Sequence, residues 1–362
     1  MSRPTAPSAR AANALRGLFL GDALAMPVHW FYNTADIDAA FPEGIRGLEA
    51  PPPHHPSSIM SLHSTRSGGR RNAGGQEAAE VVGEIILKDK RGFWNRPNVH
   101  YHQGMLAGEN TLNAHCTLAL IQSMAENAGR YDRQRFLDAY VALMTTDPPQ
   151  HPDTYAESFH RAFFANWAKG KPPEQCAGRT HDTPSIGGLV MIAPIVFAER
   201  LAGQSLENVQ ALCREHLYLT HPDESLAAAC RAYVALLDHW LFQAEPVDLR
   251  QDLRAACAGL PSSKLDQLID GGRPDREVIG RVLSSACYID GAWPAILYLL
   301  ARHAEQPLEA LLANTKVGGD NVHRGAVLGC LLGLLHGPIS PQLQAGLQQA
   351  ERIEQSIEQM LG

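Results

Sequence analysis

The 362-residue sequence lacks a CxxC pair, a run of like charges, an uninterrupted apolar stretch of membrane-spanning length, and nearly all alternation of apolar and polar residues. Each absence excludes a class of protein. The seven cysteines, Cys116, Cys176, Cys213, Cys230, Cys257, Cys287 and Cys330, sit mostly inside apolar helical patterns, so they read as reduced, buried thiols and not as a disulfide framework or zinc site. Lys+Arg 31 against Asp+Glu 38 gives a net charge of −7 with the charges scattered, which argues against nucleic acid as a main partner. The longest apolar stretches, 186–198 and 327–335, contain Gly or Pro or fall short of the roughly 20 residues a bilayer needs. The first residues carry Arg3 and Arg10 but no apolar core of signal-peptide length, so the sequence predicts a soluble, cytoplasmic protein with no membrane partner.

What is there is helical. A 45% hydrophobic fraction against 19% charged residues can bury a large core. Apolar residues recur at helical spacing almost throughout, so the predicted class is all-α. Helices are predicted over 9–20, 75–87, 111–127, 132–145, 154–169, 186–202, 206–219, 223–243, 248–260, 276–288, 292–304, 307–315, 321–333 and 341–360. No fixed-period repeat or linker divides them, which predicts a single compact multi-helix domain over 1–362. The exception is 42–75, where Pro51, Pro52, Pro53, His54, His55 and Pro56 precede a Gly, Ser and Arg cluster; this reads as a long irregular loop lying over the site.

Polar and glycine residues interrupt the apolar pattern in four segments, 21–30, 100–115, 179–188 and 314–324. In the first, Asp22 follows an apolar helix and a turn begun by Pro27 presents His29 and Trp30. Asp22 reads as a helix cap or a site residue, and His29 with Trp30 as a packed pair or part of a site. In the second, the histidines, Glu109, Asn110, Thr111 and Asn113 could supply acid, base and metal-facing oxygens, while Gly104 and Gly108 allow close backbone approach. Capping of the next helix by Glu109, Asn110 and Thr111 is the plainer reading. In the third, His181 and Asp182 precede a helix start whose free N–H groups suit an anion or a hydroxyl-rich ligand, with capping by Thr183 or Ser185 as the alternative. In the fourth, a Gly318-Gly319 turn leads into Asp320, His323 and Arg324, which at i, i+3 and i+4 share one helical face.

Val317-Gly318-Gly319-Asp320, followed by Ala326, Gly329 and Gly333, resembles the C-terminal signature of the ADP-ribosylglycohydrolases, a family that includes dinitrogenase-reductase-activating glycohydrolases and a jellyfish lens crystallin. The other segments agree in order. Gly17 through Pro27 resembles the family's opening Gly-Asp-Ala-Leu-Gly-x-Pro, Thr111 falls where its Thr-Asp-Asp-Thr motif begins, and 187–194 resembles its central Gly-rich helix ending in Ala-Pro. Leu219-Thr220-His221-Pro222 matches a characteristic turn. The resemblance implies a compact all-α domain with a central cleft that holds two magnesium ions, and hydrolysis of a glycosidic bond at the distal ribose of ADP-ribose.

On this alignment Leu112 and Asn113 replace the two metal-binding acids of the first motif, and Ala114 replaces its last Thr. Asp320 keeps the first acid of the C-terminal motif, Val322 replaces the second, His323 replaces the Thr after it, and His29 stands where a carboxylate is expected. The resemblance therefore leaves Thr111, Asn113 and Asp320 as metal ligands. One carboxylate under-neutralises a pair of Mg2+ ions and imidazole prefers a transition ion, so the expectation is a single or different divalent ion, or none.

The predicted function is a hydrolase acting on an N- or O-glycosidic bond of an ADP-ribose-like or other ribosyl or nucleotide substrate, as a small molecule or on an ADP-ribosylated protein. Glu109 or Asp320 would be the base, and His323, His29 or His181 the acid. Arg324 would hold a phosphate or a carboxylate, and Asp22, His29, Asn110, Asn113, His181, Asp182, Gly318 and Gly319 would contact or orient the substrate. A non-catalytic ligand-binding or structural member of the same fold is the alternative. A zinc or manganese hydrolase using Glu109, Asp182, Asp320 and histidines lies between them. The apolar stripes at 223–243 and 341–360 fit either the core or a second subunit, which leaves the oligomeric state open.

Overall fold

The computed structural model describes residues 6–58, 60, 81–243, 247–258 and 260–362. Among them the longer helices, in chain order, are α1 (Pro7–Ala25), α2 (Thr34–Ala40), α3 (Leu112–Ala125), α4 (Arg133–Thr145), α5 (Ser158–Ala168), α6 (Ile192–Leu201), α7 (Leu206–Tyr218), α8 (Glu224–Phe242), α9 (Leu249–Ala255), α10 (Ser262–Asp270), α11 (Ile289–Arg302), α12 (Pro307–Val317), α13 (Asn321–His336), α14 (Pro341–Ala345) and α15 (Ala350–Leu361). The described residues form no β-strand, only isolated bridges such as Ser185 with Tyr288.

α13 and the part of α1 from Arg10 onward are buried almost all round, as expected for helices at the centre of a bundle. They meet backbone to backbone. A Cβ on Gly17 would lie 2.1 Å from the Gly329 carbonyl oxygen, and one on Gly21 would lie 2.0 Å from that of Gly325. Only glycine permits this approach, which sets the C-terminal end of α1 beside the start of α13. Outer helices show the capping their sequences suggest: Asp132 accepts from Arg135 N at 2.9 Å, and Asp223 from Ser225 N and Leu226 N. The cysteines are free thiols, five of them buried.

Several helix boundaries differ from the periodicity, each for a local reason. The segment expected as 154–169 becomes helical only at Ser158, because Asp153 and Glu157 turn into the interior. That expected as 276–288 is a short turn, Asp275–Glu277, and a wider one, Val278–Val282; the stretch after it bends where the Ser284 hydroxyl accepts from Ala286 N. The last stripe splits into α14 and α15 at Gly346, and Gln348 N donates to Gly108 O across the gap. Residues 186–189 form a 3-10 turn ahead of α6. α2 and α10 were not legible as helices. Of the expected helix 75–87, residues 75–80 lie outside the described residues, and Val81–Ile85 is a π-type turn with Val82 and Gly83 out of helical geometry. Residues 42–58 and 60 of the expected loop are irregular and bring His55 under His29, where its Nε2 donates to the His29 carbonyl at 3.0 Å; 59 and 61–75 lie outside the described residues.

Candidate functional site

The site begins at two tight backbone turns that face each other. Gly318 and Gly319 adopt φ of +70° and +66°, and a Cβ there would meet the carbonyl oxygens of Phe31 at 2.1 Å and Ser285 at 2.0 Å. Opposite them, Trp30 N donates to Gly319 O at 2.7 Å and Gly319 N to Phe31 O at 2.8 Å. This pairing sets His29 beside Asp320, residues 291 positions apart, with His29 Nε2 3.1 Å from Asp320 Oδ1. At the first turn of α13, His323 Nδ1 lies 2.7 Å from the same oxygen.

From this pair a chain of buried polar contacts runs both ways. His29 Nδ1 is 2.7 Å from His102 Nε2, and His102 Nδ1 is 2.8 Å from Asp153 Oδ1. On the other side His323 Nε2 is 2.8 Å from the Asn113 amide nitrogen and 3.5 Å from Glu157 Oε2. The Asn113 amide nitrogen also donates to Glu157 at 2.8 Å, and Asn113 Oδ1 accepts from His160 Nε2 at 2.9 Å. The small cavity enclosed by His29, His102, Asn113, Glu157 and His323 has room for about one water. Trp30 stacks on His29, and Tyr101 and Tyr155 meet the edges of Trp30, forming an aromatic wall beside the cluster. A larger open cavity, lined by Arg135, Asp138, Gln150 and Arg352, lies between α3 and α4 and contains none of these groups.

Electrostatics follow from burial and proximity. Burial raises Asp320, but the charge on His323 and the contact from His29 outweigh it and hold the carboxylate well below its usual range. Burial also opposes charge on His323, yet Asp320 and then Glu157 push it up to about 10. Glu157 is itself pushed up to about 8, chiefly by burial. His29 is taken down to about 3 by burial. Asp153 is held below the carboxylate range because His102 overcomes its burial.

The structure brings His29, Asn113, Asp320 and His323 together and puts other predicted residues to different use. Asp22 is not an N-cap of its own helix. It lies inside α1 and accepts from Asn110 Nδ2 at 2.8 Å, Thr111 N at 2.8 Å and Thr111 Oγ1 at 2.6 Å, so it terminates α3 from outside. Asp153 accepts from Leu112 N at 2.7 Å and helps finish the same end. Asp182 does this for α5, accepting from Ser158 N and its hydroxyl, while half-buried His181 pairs with it at 2.9 Å. Glu109 is a correction: its carboxylate accepts from Leu106 N at the surface and faces a different cavity, away from Asp320. Arg324 is another. Its buried guanidinium is consumed by Asn314 Oδ1 at 2.7 Å, Gly318 O at 2.7 Å and Ser285 O at 3.4 Å, which fix the glycine turn and leave no fork for a phosphate. Gly318 and Gly319 serve this turn. His102 is one of the histidines singled out in 100–115, whereas Asp153, Glu157 and His160 went unpredicted as site residues; the signal for them was the polar run 151–160.

A pair of magnesium ions, as the resemblance implies, needs several oxygen ligands. Here one carboxylate, Asp320, meets two imidazoles. Leu112 and Val322 are apolar, Thr111 Oγ1 donates to Asp22, and Asn113 Oδ1 is taken by His160. The residues present do not fit two magnesium ions.

An all-α bundle with its polar cluster where the ends of α1, α3, α5 and α13 converge defines a glycohydrolase-like fold. A family model, ADP-ribosylglycohydrolase, matches residues 3–362, and the chain belongs to that family. Among solved structures, one described as an ADP-ribosylglycohydrolase-related protein complex superposes with a TM-score of 0.60 at 19% identity, covering 98% of each chain; the likeness is one of fold. No curated protein sequence matches the chain. No described helix is long and apolar enough to cross a membrane.

Proposed function

We propose that the chain hydrolyses an N- or O-glycosidic bond of an ADP-ribose-like or other ribosyl or nucleotide substrate at the cluster around Asp320. The observation that carries this reading is the buried Asp320–His323–Glu157 set beside a water-sized cavity, in a chain of this family. Departure of the leaving group builds oxocarbenium character, which calls for a base to orient water and an acid to protonate the departing atom. Asp320, held ionised, suits the base. Glu157, pushed up to about 8 by burial, keeps a proton at neutral pH and suits the acid. His323 spans the two and fixes their spacing. Exposed Tyr32 and half-buried Trp30, one face of which His29 covers, offer ring surface beside the cluster for a base or sugar ring.

The test is release of free ADP-ribose from N- and O-linked ADP-ribosyl peptides, followed by mass spectrometry. Wild type releases it, and Asp320→Asn lowers the rate by about 10²–10⁴-fold. Full turnover in Asp320→Asn overturns the assignment of the base. A second reading, a non-catalytic ligand-binding member, is favoured by Leu112 and Val322 at positions where the resemblance expects acids; calorimetric binding of ADP-ribose with no turnover of any peptide selects it.

A further inference from the structure

We propose that His29, Asp320 and His323 form a binding site for a single borderline divalent transition ion, with zinc as its probe, in place of a magnesium pair. The site stands on side-chain geometry and does not rest on the hydrolytic reading.

Three observations converge. First, one donor atom from each of the three residues lies within 4.8 Å of the others, and all three residues are buried. Asp320 Oδ1 is 3.1 Å from His29 Nε2 and 2.7 Å from His323 Nδ1. Ligand atoms bound tetrahedrally to one ion at the usual 2.0–2.2 Å stand roughly 3.3–3.6 Å apart, so Asp320 Oδ1 needs only to move away from the two ring nitrogens by about half an ångström to admit the ion. Second, Asp320 Oδ2 is buried with no hydrogen-bond partner among the described residues. Such orphaned atoms in the interior are rare unless something else satisfies them.

Third, His29 is already supported from behind: its Nδ1 lies 2.7 Å from His102 Nε2, and His102 Nδ1 lies 2.8 Å from Asp153 Oδ1, so in the tautomer where each Nδ1 donates, His29 Nε2 presents a lone pair on the Asp320 side. This is the carboxylate–histidine support that ligating imidazoles commonly have, extended by one ring. The donor set also selects the ion. Two imidazoles and one carboxylate suit zinc and its neighbours, whereas magnesium demands oxygen. With Nδ1 on the ion, His323 carries its proton on Nε2, so the Asn113 amide 2.8 Å away turns its oxygen there, and Glu157, which is not a ligand, stays facing the cavity.

The experiment uses the full chain, stripped with a chelator and titrated calorimetrically with Zn2+ and, separately, Mg2+, with no substrate present. One zinc per chain is expected, bound far more tightly than magnesium. Cobalt substitution is expected to give the visible absorption of a four- or five-coordinate nitrogen and oxygen site in the wild type, a readout that needs no variant. His102→Gln weakens zinc about 10–100-fold as a supporting residue, His29→Ala and His323→Ala weaken it further, and His239→Ala, at an exposed position of α8, leaves it unchanged. Absence of zinc binding, equal affinity for magnesium, or undiminished zinc binding in His29→Ala overturns the proposal. Because metal content is read without turnover, its failure is distinct from a failure of the glycosidase assay.

Discussion

Asp22 offers a sharp test of how the site is held. It is fully buried in the last turn of α1, and three donors from the start of α3 end on its carboxylate: Thr111 N, Thr111 Oγ1 and Asn110 Nδ2. Asp22→Ala strands all three. At about 1 kcal/mol net for each bond, and up to about 3 for a donor left buried without a partner, the loss comes to roughly 3–5 kcal/mol. Asp22→Asn differs in kind. It keeps one oxygen for Thr111 N and Asn110, lets the Thr111 hydroxyl rotate to accept, and removes a buried charge, so its loss stays within about 1.5 kcal/mol.

The pH dependence separates the two further. Burial, opposed only in part by Thr111 and Asn110, raises the Asp22 pKa above its ordinary value of 3.8. A raised carboxylate contributes stability that is fully present below 3.8 and is lost as pH rises through the folded value. Asp22→Asn does not lose it, so the wild type gains on Asn as the solution is acidified. Urea unfolding followed by circular dichroism at several acid pH values reads both effects. An Ala variant no less stable than the Asn variant refutes the view that Asp22 carries the end of α3.

Other sites give further outcomes. Gly329→Ala drives a Cβ to 2.0 Å from the Gly17 carbonyl oxygen and is expected to destabilise by at least about 3 kcal/mol, while Gly92→Ala, with open space around it, stays within about 1 kcal/mol; thermal unfolding compares them. Arg324→Lys loses the fork shared by Asn314, Gly318 and Ser285, lowering stability by about 1–3 kcal/mol with no change in ADP-ribose affinity of the folded protein; lost affinity at unchanged stability would return Arg324 to the ligand. Asp275 runs opposite to Asp22. Burial raises it, but hydrogen bonds from His303 and Tyr298 prevail and lower its pKa, so its contribution is present above 3.8 and lost as pH falls through the folded value. The stability gap between wild type and Asp275→Asn should therefore close in acid, and a gap constant with pH contradicts the pairing.

The helical class, the family and the segments where chemistry collects were all legible in the sequence, because periodicity and glycine spacing are local properties of the chain. Gly17 and Gly329 entered the sequence reading only as parts of motifs that resemble the family; the structure shows Gly17 against Gly329 and Gly21 against Gly325, where two backbones touch. His29, Asn113, Asp320 and His323 stood out as polar residues breaking apolar patterns, and they do meet. Their partners were settled only by tertiary packing. Nothing in residues 100–115 distinguishes Glu109, which turns to the surface, from His102, which enters the chain of contacts between Asp153 and His29. Asp22 and Asp182 look like ligand-facing acids until each is seen closing the exposed N–H groups of a helix that belongs to another part of the chain. A helix end needs an acceptor, but the sequence around it does not say whether that acceptor comes from the next residue or from one nearly ninety positions away. The packing of α1 against α13 decides that, since it sets which helix ends converge and which carboxylates remain for the site.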